Sequence, residues 1–228
     1  MGYSVETLIE QAKVCLDENV SSEALTGIQD TDTLKLDEII ESKVVDAVRL
    51  VESNAAHHLL GKGKALADSD TKITWEDQSK PGECAGHFKV KDNDFLRLVI
   101  FRMSDWYTPV TETISEQDPE YLLQSSRLAG VRGNPQRPVV AVVHGTDGQE
   151  VEFFSCRAGE GVRIAQARYI PEPSVKDGKV DISPLLHRAV VYRIAAMTAM
   201  TIGATDAAAM MLATSNELAG ILPAQSNE

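Results

Sequence analysis

Aromatic side chains are scarce: 2 Trp, 5 Tyr and 5 Phe make up 5% of 228 residues. They fall mostly in the middle third, so the two ends of the chain must build their cores from aliphatic residues and alanine. Cysteine is scarcer still. Cys15, Cys84 and Cys156 are an odd number at wide spacing, unlike the dense, even pattern of a disulfide-stapled secreted domain, and a reducing compartment is the simpler expectation. Basic residues are outnumbered, 22 Lys and Arg against 34 Asp and Glu, giving a formal charge of -12. That balance disfavours non-specific adhesion to nucleic acid or anionic lipid through the summed field.

Long apolar runs of the membrane-spanning kind are missing too. Between Ile194 and Leu222 only Asp206 and Glu217 are charged, but Ala, Thr, Gly and Ser dominate and Asp206 sits in the middle. No membrane span is expected there. The first twenty residues carry Glu6, Glu10, Asp17 and Glu18 where a secretory leader would be apolar. Glu6 also stands where a myristoylation motif needs Ser or Thr. A protein made and used in a cytosol is expected.

What is present is ordinary for a folded chain, with 43% apolar and 25% charged residues. A chain of this length buries roughly 70% of its unfolded surface. The charge is unevenly spread. Residues 1–94 hold 19 acidic and 10 basic side chains, net -9; residues 95–170 hold 9 and 8; residues 171–228 hold 6 and 4.

The first third reads as helical. Val5, Leu8, Ile9, Ala12 and Leu16 recur at three- and four-residue steps behind a capping Ser4. Residues 19–33 are polar and lack a period, which suits a loop. A second helix is expected over 34–60, with Leu36, Ile39, Ile40, Val44, Val48, Val51, Ala55 and Leu59 as one stripe, ended by Gly61 and Gly63.

The middle third changes to a strand-like period, over 71–75, 87–91 and 95–103. Pro119 opens a short helix expected to run to Leu128. The clearest hairpin joins 139–143 to 151–156 through residues 144–148, with a third strand over 162–170. Pro171 and Pro173 make a stiff exit, and Asp177-Gly178 reads as a turn.

Ser183 and Pro184 open a helix carrying Leu185, Leu186, Ala189, Val190, Ile194 and Met197, and a last helix ends before Gly220. The fold class expected is α+β: N- and C-terminal helices (residues 1–66 and 180–228) forming one helical bundle, with a small, mostly antiparallel sheet and one short helix inserted over 67–179.

Residues with chemical potential were weighed one by one. Cys84 and His87 have metal-ligand spacing, but no second Cys or His pair accompanies them, and a loop entering a strand accounts for both. His57 and His58 fit the end of the second helix as capping groups. Gly61-Lys62-Gly63-Lys64 follows a helix rather than a strand and lacks the phosphate-loop spacing. Ser155 and Cys156 lack a nucleophile elbow. No catalytic, cofactor-binding or metal-binding residue is assigned.

The segment 127–138 stands out, because Arg127, Arg132 and Arg137 sit among Gly130, Gly133, Asn134, Pro135 and Pro138 in an acidic protein. It reads as a stiffened basic loop: a solvated connection, or a contact for an acidic neighbour or a phosphate backbone. Arg157, Arg163 and Arg168 extend it along the sheet. In the last helices Met197, Met200, Met210 and Met211 lie on segments without a charged side. Such helices are either central in the fold or covered by a neighbouring subunit, and an interface between subunits is the expectation.

The order of these elements resembles head-to-tail connector (adaptor) proteins of tailed bacteriophages: an acidic helical start, an inserted sheet, a Ser183-Pro184-Leu185-Leu186 helix entry and an Ala-rich helical end. Phe95-Leu96-Arg97-Leu98, Met103-Ser104-Asp105-Trp106 and Gly130-Val131-Arg132-Gly133-Asn134-Pro135, with the hairpin, look like structural proteins of crAss-like phages. The resemblance implies a virion protein assembled in the bacterial cytoplasm as a homo-oligomeric ring, a dodecamer by the family's pattern. The ring would sit between the portal protein and the tail or further ring proteins and line the channel for double-stranded DNA. It implies no enzyme activity, cofactor or membrane. The alternative is a cytosolic enzyme or small-molecule binder with a site around His87, Asp105, Trp106, His144 and Cys156; a third class is a nucleic-acid-binding module using the 127–137 loop.

Overall fold

Two periodicities divide the chain. In the computed structural model, which describes residues 2–20, 35–66, 72–75, 86–90, 94–126, 128, 130–145, 148–154 and 162–222, it separates into two compact units. Met1–Gly61 with Pro173–Glu228 forms one, and Lys62–Glu172 the other.

The first unit is helical. Helix α1 (Val5–Asn19) buries Val5, Leu8, Ala12, Cys15 and Leu16, and α2 (Leu36–Asn54) buries Ile40, Val44, Ala47, Val48 and Val51, the three- and four-residue stripe the sequence carries. A short ribbon ties the N-terminus to the approach to the last helices, pairing β1 (Gly2–Ser4) with β10 (Lys179–Asp181). Its turn has Asp177 at φ 52° and Gly178 at φ 68°, the pair of left-handed residues a type I′ turn needs. Of the two helices at the C-terminal end (His187–Thr201 and Thr205–Leu218), the first is central. Its buried residues Ala189, Val190, Val191, Ile194, Ala195, Ala196, Thr198 and Ala199 lie on every side of the helix.

The second unit is built from two sheets and one short helix, α3 (Pro119–Leu123); the two C-terminal helices are accordingly α4 (His187–Thr201) and α5 (Thr205–Leu218). One sheet has three strands, with β2 (Lys64–Ala65) and β5 (Phe95–Met103) flanking β9 (Ile164–Pro171). The other runs in the order β3 (Thr74–Trp75), β4 (Gly86–Lys89), β8 (Gly148–Phe154), β7 (Val139–Gly145) and β6 (Ile114–Ser115), with only the β6–β7 pair parallel. Alternation puts Phe88, Val140, Val142, Val151 and Phe153 on one face of this five-stranded sheet. That face packs on Leu98, Phe101, Met103, Ala167 and Tyr169 of the other sheet in one core. Phe101 is the joint, with its ring 5.9 Å from Phe88, 6.0 Å from Phe153 and 5.6 Å from Trp106. The scarce aromatics are gathered here.

Strand β5 reaches that core with an uneven burial period. Its register against β9 shifts between Phe95 and Arg97, between Leu98 and Ile100, and between Arg102 and Met103. The first two shifts each set an extra residue of β5 against β9 and the third an extra residue of β9 against β5, so Phe95, Leu98 and Phe101 all face inward at three-residue steps that strict alternation would not allow, and Met103 follows two residues on.

One bundle with one small inserted sheet is therefore not the fold. Among the described residues there are five α-helices and ten strands in three sheets, one of them inside the helical unit and two in the other. The strand expected as the third of the hairpin sheet, β9, pairs instead with β5 in a separate sheet. The second helix stops at Asn54 rather than Leu60, because Ala56 turns to an extended conformation (ψ 136°) and gives its N–H to the Ala219 carbonyl at 2.8 Å. His57 and His58 thus lie on a separate 3-10 turn and cap no α-helix. The hairpin strands pair as far as Gly145 and Gly148, closing the five-residue loop expected there to two residues, which lie outside the described set.

Candidate interaction surfaces

The basic loop is a built structure. Asn134 and Arg137 exchange backbone hydrogen bonds, and the Asn134 Oδ1 also accepts from the N–H groups of Gln136 and Arg137 at 3.0 and 3.1 Å, making a tight turn around Pro135. Val131 and Arg132 both donate to the Leu128 carbonyl. Gln124, buried just beyond α3, clamps the segment from beneath: its Oε1 accepts from the buried Gly133 N–H at 2.8 Å, and its Nε2 donates to the Glu120 carbonyl. The far side is tied by Tyr107 N–H to the Pro135 carbonyl and by Thr108 Oγ1 to the Gln136 carbonyl.

This scaffold holds large apolar side chains out in water. Leu122 and Tyr107 are each 73% exposed and Leu128 is 67% exposed, with Leu123 and Val131 also exposed. Arg137 is exposed beside them and Arg132 half-exposed. Arg127 lies outside the described residues. Clustered apolar exposure on an ordered scaffold marks a surface that meets a partner, and leucine, tyrosine and arginine together suit a protein partner.

The extension of this basic patch along the sheet is limited. Arg168 donates to the Lys62 and Gly63 carbonyls at 3.3 and 3.4 Å, fastening the entry to β2. Gly63 fits there only as glycine, since its φ is 63° and a Cβ would lie 2.6 Å from the Tyr169 carbonyl oxygen. Beside it the Lys64 ammonium sits 2.8 Å from Asp94 Oδ2, and Tyr169 OH donates to Asp94 Oδ1 at 2.7 Å. Those hydrogen bonds raise the Lys64 pKa, Asp94 contributing most. Arg163 is exposed, and Arg157 lies outside the described residues.

The four methionines divide. Met211 is buried and Met197 packs against the helical core, so both serve their own unit. Met200 and Met210 point outward, 54% and 60% exposed. The outward stripe of α5 runs Asp206, Ala209, Met210, Ala213 and Glu217, with both charges of the helix on its wet side. The lack of charge over residues 194–201 of α4 follows from the helix's central place, its two charges, Arg188 and Arg193, lying nearer its start. On the inner side of α5 the buried Ser215 hydroxyl donates to the Ala189 carbonyl at 2.8 Å, and Arg193 Nη2 donates to Asn216.

The residues of the alternative small-molecule site do not converge. His87 stands opposite Glu152, which stands opposite Ala141, so His87 shares a face with Ala141; His144, three residues further along the same strand, points to the other face. His144 meets Gln149, whose side chain is spent on both backbone groups of Phe95. Trp106 is buried in the core, Asp105 lies in the turn after β5, and Cys84 and Cys156 lie outside the described residues. Among the described residues no group of three or more His, Cys, Asp or Glu could hold a metal ion, and no helix is long and apolar enough to cross a membrane.

No family model matches the chain, and no curated protein is significantly similar to it.

Sequence reasoning found the arginines of the loop but missed what surrounds them. Leu122 and Leu123 are exposed and Gln124 is buried, the reverse of what polarity alone suggests, and the helix expected to run to Leu128 ends at Leu123. The signal that was there is the apolar pair on a helix too short, at five residues, to shelter it.

Proposed function

We propose that this chain is a structural subunit of the head-to-tail connector of a tailed bacteriophage. In this reading it assembles as a homo-oligomeric ring, twelvefold by the family's pattern, beneath the portal protein. It offers a docking surface to the tail or further ring proteins and surrounds the passage for double-stranded DNA. The observation that carries the reading is the scaffold around Gln124, where Leu122, Leu128, Val131, Arg137 and the tethered Tyr107 are exposed and Arg132 is partly exposed on an acidic protein. A surface of that kind serves a protein contact. The helical start, the β-rich middle and the Ala-rich end, with the Phe95-Leu96-Arg97-Leu98 and Gly130–Pro135 stretches quoted above, favour the connector form of that contact. An acidic wall suits DNA passage because like charge keeps the duplex from adhering.

The test is native mass by light scattering, alone and mixed with a phage portal protein, with electron micrographs of the product. Closed rings, or a stable complex with the portal, are expected. A strict monomer that binds neither portal nor tail protein overturns the reading.

A further inference from the structure

Arg132 and Arg137 have no ion-pair or hydrogen-bond partner for their guanidinium groups among the described residues, and they belong to the same hydrogen-bonded scaffold as the exposed Leu122, Leu128, Val131 and Tyr107. Residues 122–137 contain three arginines and no acidic residue. A matching partner must therefore offer carboxylates set among apolar side chains.

The outer faces of α1 and α2 have that character. The two helices contain nine acidic and three basic residues (Glu6, Glu10, Asp17, Glu18, Asp37, Glu38, Glu41, Asp46, Glu52; Lys13, Lys43, Arg49). All of the acids except Glu52 are exposed. Val14 is exposed among Glu10, Asp17 and Glu18, its neighbours at three- and four-residue steps on one side of α1. An ion pair between Lys13 and Asp37 joins the two helices.

We infer that the exposed Leu122, Leu128, Val131 and Arg137, with Arg132, of one subunit dock on the acidic α1–α2 face of the next copy of this chain, head to tail. The inference rests on the ring reading and names its contact. A phosphate backbone would satisfy the arginines but would leave the leucines and Val131 in water, whereas a face holding Val14 among carboxylates covers both. Because the two surfaces differ, every copy carries one of each, and association continues until the rotation closes into a ring. Charge of opposite sign sets the register and makes assembly salt-sensitive.

The experiment uses the full chain and follows assembly against concentration at low and high salt by light scattering and sedimentation. R132E/R137E is expected to raise the concentration for half-assembly about tenfold or more. E10K/E41K is expected to do the same, and the four substitutions together to restore assembly. Glu10, Glu41, Arg137, Val14 and Leu128 are exposed and Arg132 is partly exposed, and circular dichroism checks that each variant folds. R132Q/R137Q, which removes charge without reversing it, is expected to fall between wild type and R132E/R137E.

Wild-type assembly that R132E/R137E leaves unchanged overturns the contact while leaving the ring reading in place. Failure of the four-substitution chain to recover overturns the α1–α2 face as the occupant. Self-assembly retained with portal binding lost assigns the loop to the portal and overturns the inference. A wild-type chain that is monomeric alone but binds the portal overturns the inference only; one that does neither overturns the ring reading with it.

Discussion

The side-chain amide of Gln124 holds Gly133 in place, accepting its N–H at 2.8 Å inside a pocket where Gln124 is 2% exposed. One buried amide thereby fixes the conformation of the loop that presents Arg132 and Arg137. Gln124→Ala leaves the Gly133 donor without that acceptor, at a cost of about 1–3 kcal/mol. Faster amide exchange over 130–137 and weakened assembly are expected, with the helical unit unchanged. Exchange equal to wild type at Gly133 would show that the clamp does not order the loop.

Glu52 is the buried acid of the helical unit, 4% exposed, and accepts the Ser183 N–H at 3.1 Å. Burial pushes its pKa from 4.5 to about 7; the Ser183 hydrogen bond opposes this, and nearby Asp181 adds to it. Because the folded state holds the proton more tightly, stability is greatest below the unfolded value. It falls as pH rises from about 4.5 to about 7, by up to about 3 kcal/mol, and is flat beyond. Denaturant midpoints of wild type and Glu52→Gln across this range check it: the wild-type curve slopes downward, and that slope is lost in the variant.

Gly220 closes α5 at φ 64°, and a Cβ there would lie 2.8 Å from the Ala56 Cβ. Gly203 has φ 83° but open space around it. Gly203→Ala should therefore cost about 1 kcal/mol from backbone strain alone. Gly220→Ala adds a steric clash and should cost about 2–4 kcal/mol in all. Urea unfolding of the two variants side by side tests the difference, and equal losses would refute it.

Phe101 joins the two sheets of the β-rich unit and is fully buried. Phe101→Ala removes contacts to Phe88, Trp106 and Phe153 together, and a loss of about 3–5 kcal/mol is expected. Near-ultraviolet circular dichroism should show the collapse of the Trp106 environment, while a variant at exposed Leu122 should leave it intact.

The amino-acid sequence by itself determined the local features. The stripe of Ile40, Val44, Val48 and Val51 makes α2 a helix with one buried face, Asp177-Gly178 makes a tight turn, and the acid-rich first third and arginine loop lay out the charge before any folding. These depend on spacing and on backbone freedom within a few residues. Only the tertiary structure decided what each apolar face meets. Strand β9 has an ordinary strand pattern, but its partner β5 is some sixty residues away, and alternation says nothing about which neighbour a strand chooses. The charge-free run 194–201 of α4 is the same case in helical form, since burial by its own unit and burial by a second subunit leave the same sequence. Leu122 and Leu128 are the converse: apolar residues that a core would have accepted stand in solvent because Gln124, a polar residue, took the buried place.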